Sequence, residues 1–109
     1  MAIKHALPGQ AVDVGPRGAG LATQKTTALF KSDDLEVMHL VLLAGKSLPP
    51  HKVAGEITIQ CIEGAIDVTC DGSSHPLRAG QLLYLRGDVL HGVTALEDSS
   101  ALVTVALGR

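Results

Sequence analysis

The sequence predicts an all-β sandwich or barrel, and three observations carry that reading. Short β-branched and leucine-rich runs recur at spacings of about eight to twelve residues, separated by Gly or Pro. Ile66, Val68 and Cys70 alternate with Asp67, Thr69 and Asp71, the two-residue period of a strand with one wet face. No segment carries the capped, amphipathic pattern of a helix, and no internal repeat is visible.

In chain order, residues 1–25 read as a partly irregular arm. Pro8-Gly9 and the Gly15–Gly20 run break any regular period there, and a short strand is expected only at Gln10–Val14. A single domain is expected over 26–109. Thr26–Lys31 is strand-like and ends at Ser32-Asp33-Asp34, whose short polar side chains bond nearby backbone in turns. Leu35–Leu43 is apolar at nearly every position and stops at Ala44-Gly45. Nine residues between turn signals favour a strand over a buried helix. Pro49-Pro50 imposes an extended stretch, because proline fixes φ and restricts its predecessor. Ile57–Ile62 is the next strand. The alternating segment from Ile66 then meets Asp71-Gly72, a hairpin signal, since a type I′ turn needs positive φ at both central residues. His75–Arg78, Leu82–Leu85, Leu90–Ala95 and Ala101–Leu107 complete the series.

Composition narrows the function classes. With 109 residues, 46% hydrophobic and 18% charged, the chain suffices for one domain with a buried core. Phe30 and Tyr84 are its only aromatics, too few for stacking single-stranded nucleic acid. A net charge of -2 leaves no basic footprint for phosphate backbones or anionic lipid, so neither nucleic acid nor membrane is an expected partner. No apolar run approaches the roughly 18–20 residues of a membrane span. Residues 1–10 lack the long apolar core of a secretory leader, which points to the cytoplasm. Cys61 and Cys70 make neither a disulfide framework nor a zinc knuckle. Ser73-Ser74 and Ser99-Ser100 sit in turn-like contexts without a triad, and Gly15–Gly20 lacks the ending of a phosphate loop.

Gly45, His51 and Gly64, then Gly80 and His91, are spaced as in two motifs. The pattern resembles the cupin family, whose motifs run G-x5-H-x-H-x3,4-E-x6-G and G-x5-P-x-G-x2-H-x3-N, and the likeness covers about residues 35–107. It implies a jelly-roll barrel (a double-stranded β-helix) that brings both motifs into one mouth. It also implies a divalent metal such as Fe, Mn, Ni or Zn, on three histidines and a glutamate. His51 and His91 fall on the first and last histidines. Val53 stands where the second histidine belongs and Ile57 where the glutamate belongs, while Arg86, Asp88 and Ala95 replace the second motif's proline, glycine and asparagine.

Half the ligand set is therefore missing, whereas catalytic metal sites usually have three protein ligands. Three side chains are candidates for the third. Glu56 can serve if a bulge at Gly55 turns it inward, against the alternation of a strand. His39 can serve if its face is inward, and Cys61, which shares parity with Ile57, can serve as a thiolate. Arg86 at the rim can meet a carboxylate bidentately.

The leading expectation is a small-molecule pocket. His51 and His91 form its polar pole, and Val53, Ile57, Ile59 and Cys61 its apolar wall. The alternative is a non-catalytic ligand-sensing or interaction module without metal. Because Leu35–Leu43 is apolar on both parities, its outer face needs cover from the arm or from a second subunit, and a two-fold homodimer is expected.

Overall fold

The computed structural model describes residues 6–107. The ends of the expected arm and domain, residues 1–5 and 108–109, lie outside them, as does half of the segment read as lacking a leader. A 3-10 helix at Gly18–Thr23 precedes nine strands: β1 Thr27–Lys31, β2 Leu35–Leu42, β3 Ser47–His51, β4 Ile57–Glu63, β5 Ala65–Cys70, β6 Ser73–Arg78, β7 Leu82–Leu85, β8 His91–Ala95 and β9 Ser99–Ala106. They form two antiparallel sheets, one ordered β1-β2-β9-β4-β7 and the other β3-β8-β5-β6. This is the jelly-roll arrangement, with two packed sheets rather than one closed ladder. Among the described residues no helix is long and apolar enough to cross a membrane.

Alternation decides which side chains meet between the sheets. Leu40, Ile57, Ile59, Cys61, Leu85 and Ala101 project from the larger sheet onto Ile66, Val68, Leu77 and Val93 of the smaller. Full burial of each Leu, Ile or Val among them contributes about 1.5–3 kcal/mol. The Asp71-Gly72 turn joins β5 to β6 with φ of 50° and 77°, as a type I′ hairpin requires. Gly45, Gly64 and Gly80, the three motif glycines, all have positive φ. At Gly64 a β-carbon would also stand 2.3 Å from the Asp98 carbonyl oxygen.

Two expectations need correction. No strand forms at Gln10–Val14. Ser99 and Ser100 do not lie in a turn: they open β9 and are buried, Ser99 Oγ donating to the carbonyls of Ala65 and Glu97.

The outer face of β2 is covered by the arm. A bulge between Cys61 and Glu63 shifts register, so Cys61 pairs with Ala101 but Glu63 pairs with Ser100. An extra residue in one strand reverses the parity that follows it, which puts Glu63 outside while Cys61 stays inside. The outward Glu63 carboxylate accepts from the backbone N–H groups of Arg17 and Gly18 and from Ser100 Oγ. Burial alone would raise this carboxyl's pKa, but those three bonds and nearby His39 hold it below the ordinary carboxylate range.

Candidate functional site

His51 is turned to the cavity mouth, where it stays exposed, by an irregularity in β3. Ser47 and Leu48 pair with Thr94 and Val93, but the register then shifts and His51 pairs with His91. Pro49 and Pro50 occupy the shift. Proline offers no N–H to a ladder and is confined to edge strands and bulges, and β3 is the edge of its sheet. The extra residue brings His51 to the face that carries Leu48, the inner one. His91 opens β8, pairs also with Cys70 of β5, and is only 4% exposed.

The two imidazoles have centroids 4.6 Å apart and planes tilted by 49°. His51 Nδ1 lies 3.2 Å from the Pro49 carbonyl oxygen, and His91 Nδ1 lies 3.0 Å from that of Val89. A carbonyl oxygen only accepts, so each Nδ1 carries the proton and donates it. In the neutral form each ring then keeps its Nε2 lone pair, and no protein hydrogen bond to either Nε2 is found among the described residues.

Two loops shape the mouth by close backbone approach. A β-carbon on Gly55 would fall 1.5 Å from the Ala106 carbonyl oxygen, and one on Gly87 would fall 2.1 Å from that of Ala54. Their absence lets Ala106 N–H donate to the Glu56 carbonyl at 2.9 Å and Asp88 N–H to that of Val53 at 2.8 Å. Asp88 has φ of 61°. Asp is one of the few side chains tolerated there, which explains how it can replace the motif glycine.

The result is a cavity of about 450 Å³ that includes His51, His91, Val53, Ile57 and Ile59 in its lining. The structure places these five around one cavity and leaves Cys61, Glu56, His39 and Arg86 out of its lining. Cys61 is fully buried in the core below, its Sγ donating to the carbonyls of Glu63 and Gly64. Burial, then the carboxylates of Glu97 and Glu63, pushes its thiol pKa up, away from a thiolate ligand. No bulge forms at Gly55, so Glu56 stays outside, exposed, and accepts from the Tyr84 hydroxyl. That bond, first, raises the Tyr84 pKa. His39 lies on the outer parity of β2, 3% exposed. Burial and then Arg17 lower its pKa, while Glu63 opposes them. Arg86 is exposed and does not line the cavity.

Glu36 and Met38 line the same cavity and were not singled out in the sequence. They share the inner parity of β2 with Leu40, a signal available once Val37 and His39 are assigned outward. A second, mainly apolar cavity of about 720 Å³ lies between the arm and the outer sheet face, with Leu7, Val12, Phe30 and Val37 in its walls.

The donors at this site are fewer than the family's metal requires. Two imidazole nitrogens are present, and the remaining motif positions hold the hydrocarbon side chains of Val53 and Ile57. Among the described residues no group of three or more His, Cys, Asp or Glu is placed to hold a metal ion. A resident metal with three protein ligands does not fit this site.

The two sheets thus form an antiparallel jelly roll with a histidine-bearing mouth. The match of residues 38–107 to the cupin domain model makes the assignment specific, and the chain belongs to the cupin family. Over 51 residues it is 41% identical to dimethylsulfoniopropionate lyase DddW of Ruegeria pomeroyi, a match covering 47% of this chain and only 34% of that protein. An RmlC-like cupin protein from Desulfovibrio desulfuricans superposes with TM-score 0.70 at 27% identity, covering 97% of each chain. A conserved Streptococcus pyogenes protein of unknown function superposes with TM-score 0.78, covering 100% of this chain and 96% of that one. Its 17% identity speaks for the fold alone.

Proposed function

We propose that this cupin binds a small organic molecule in the mouth between its sheets, with His51 and His91 as the polar pole and Val53, Ile57 and Ile59 as the apolar wall. One observation carries the reading: two imidazoles 4.6 Å apart line one cavity, with both Nδ1 protons committed to backbone carbonyls. Pockets for small ligands combine an apolar lining with a few placed polar groups in this way. The partial match to a lyase of a small sulfonium acid supports a small organic ligand. The test is a fragment titration followed by backbone amide NMR. Shifts at His51, His91 and Val93 that vanish in His91→Ala support the proposal, and ligand-free spectra against a broad fragment set oppose it.

A second reading is favoured by the Nδ1–carbonyl bonds, since metal-ligating histidines almost always donate their other N–H to such an acceptor. In it, a divalent ion (Fe, Mn, Ni or Zn) sits on the two Nε2 atoms and takes its other ligands from water or the bound molecule. Metal analysis on protein never exposed to chelator or nickel resin separates the readings. Stoichiometric metal lost in both His51→Ala and His91→Ala supports the second, and metal-free protein that binds a fragment supports a sensing module.

Residues 26–109 are proposed to act as one domain with 1–25 as its arm, and the chain as a cytoplasmic homodimer. Free Cys61 and Cys70 fit a reducing compartment, and exposed Leu7, Val12, Leu82 and Leu96 are available to an interface. Light scattering at twice the chain mass of 11.3 kDa is the expected result, and a monomer mass contradicts it.

A further inference from the structure

We infer that the cavity selects ligands carrying a positively charged hydrogen-bond donor on an apolar body, a small organic ammonium, and that Glu36 sets this preference. The inference rests on the proposed binding role of the cavity and adds the chemical class of its ligand.

The argument starts from what the lining offers. Among the described residues, the cavity wall contains three side chains with nitrogen or oxygen atoms: Glu36, His51 and His91. It contains no lysine, arginine, amide or hydroxyl side chain. Each imidazole spends its one N–H on a backbone carbonyl, so in the neutral ring Nε2 is an acceptor. An ionised carboxylate is an acceptor only, and the thioether of Met38, also in the wall, is a weak acceptor. Every hydrogen-bonding side-chain atom turned to the ligand is then of one kind.

Such a wall discriminates. A ligand carboxylate finds no donor among these side chains and meets the charge of Glu36. An ammonium brings three donors and an opposite charge. Glu36 is half-buried on β2 and pairs in register with Val105 of β9, which also lines the cavity. Lys31 is its cross-strand neighbour on β1. Lys31 is exposed, and no ion pair between the two is found among the described residues. Lys52, exposed between His51 and Val53, and Arg86, also exposed, are both outside the wall, and neither forms an ion pair with Glu36 among the described residues. The carboxylate is therefore left for a ligand, and a charge-assisted bond to it is roughly twice as strong as a neutral one.

The test compares n-butylammonium, n-butanol and butyrate, which share one apolar body, by amide NMR titration at neutral pH, with Glu36→Gln as the variant. The expected order is butylammonium tighter than butanol and butyrate weakest, with about tenfold between the two ions. Glu36→Gln is expected to weaken butylammonium about fivefold to tenfold and butanol by a clearly smaller factor, since only the ammonium loses an opposite charge. Butyrate binding as tightly as butylammonium, or a butylammonium affinity indifferent to Glu36→Gln, overturns the inference while the binding reading stands. If none of the three shifts the signals of His51, His91 or Val93, the inference falls, and the broad fragment titration decides the binding reading on its own.

Discussion

Replacing Gly55 with alanine places a methyl group 1.5 Å from the Ala106 carbonyl oxygen and 2.6 Å from its carbon. Both are backbone atoms and cannot swing aside, so residues 52–56 must lift from β9. The Ala106 N–H to Glu56 bond is lost first, and the Asp88 N–H to Val53 bond, held by the same segment, is strained with it. Two backbone hydrogen bonds at about 0.5–1.5 kcal/mol each amount to roughly 1–3 kcal/mol. The gain from a less flexible unfolded chain offsets about 0.4–1 kcal/mol of that. A net loss of about 1–2 kcal/mol lowers the urea midpoint by roughly 0.5–1 M. Urea unfolding followed by circular dichroism reads this directly. Gly72→Ala serves as the control: its β-carbon meets open space, so only left-handed strain of about 1–2 kcal/mol is added. Stability alone does not separate the two variants, but ligand binding does. Gly55→Ala is expected to weaken butylammonium binding because Val53 and Ala54 move with the loop, and Gly72→Ala is expected to leave it intact. A Gly55→Ala protein with native midpoint and native affinity would refute the role given to this contact.

Ile59, 1% exposed at the cavity floor, is expected to cost about 2–5 kcal/mol on truncation to alanine, read as a urea midpoint shift. Acidification is expected to destabilise the fold in two steps. His39 has a lowered pKa in the folded protein, so its contribution is complete above the unfolded value of about 6.5 and fades as pH falls below it. Glu63, also lowered, contributes fully above about 4.3 and loses that contribution as pH falls through its folded value. Urea midpoints from pH 7.5 down to about 2.5 should show both steps, and His39→Leu should flatten the upper one. Glu56→Ala, acting on the exposed outer face beside Tyr84, is expected to leave binding unchanged and to shift stability by no more than about 0.5 kcal/mol. A loss of binding in that variant would return Glu56 to the site.

The strands were legible because their punctuation has local causes. Asp71-Gly72 and Gly45 admit the positive φ that turns need, Pro49-Pro50 fix φ, and each marks a turn or an irregularity in the structure. His51 and His91 were legible through motif spacing, but the route of His51 into the mouth depends on a register shift that alternation cannot foresee. The arm was not legible. Its course is fixed by Glu63, 46 residues from Arg17, and that carboxylate faces outward only because of the bulge in β4. Parity and burial decided the third-ligand candidates: His39 lies on the outer parity of β2, Cys61 is sealed in the core, and no bulge at Gly55 turns Glu56 inward. Glu36 was hidden as the one acid in a run read as apolar, and its direction follows only from pairing with β9.

The central claim is that two imidazoles present unprotonated Nε2 atoms to one ligand. Long-range proton–nitrogen NMR of the histidine rings reads it most directly. The account predicts Nδ1–H tautomers for both His51 and His91, with both Nε2 signals moving together at one affinity as butylammonium is added. An Nε2–H tautomer at either ring, or a response from one ring without the other, contradicts it.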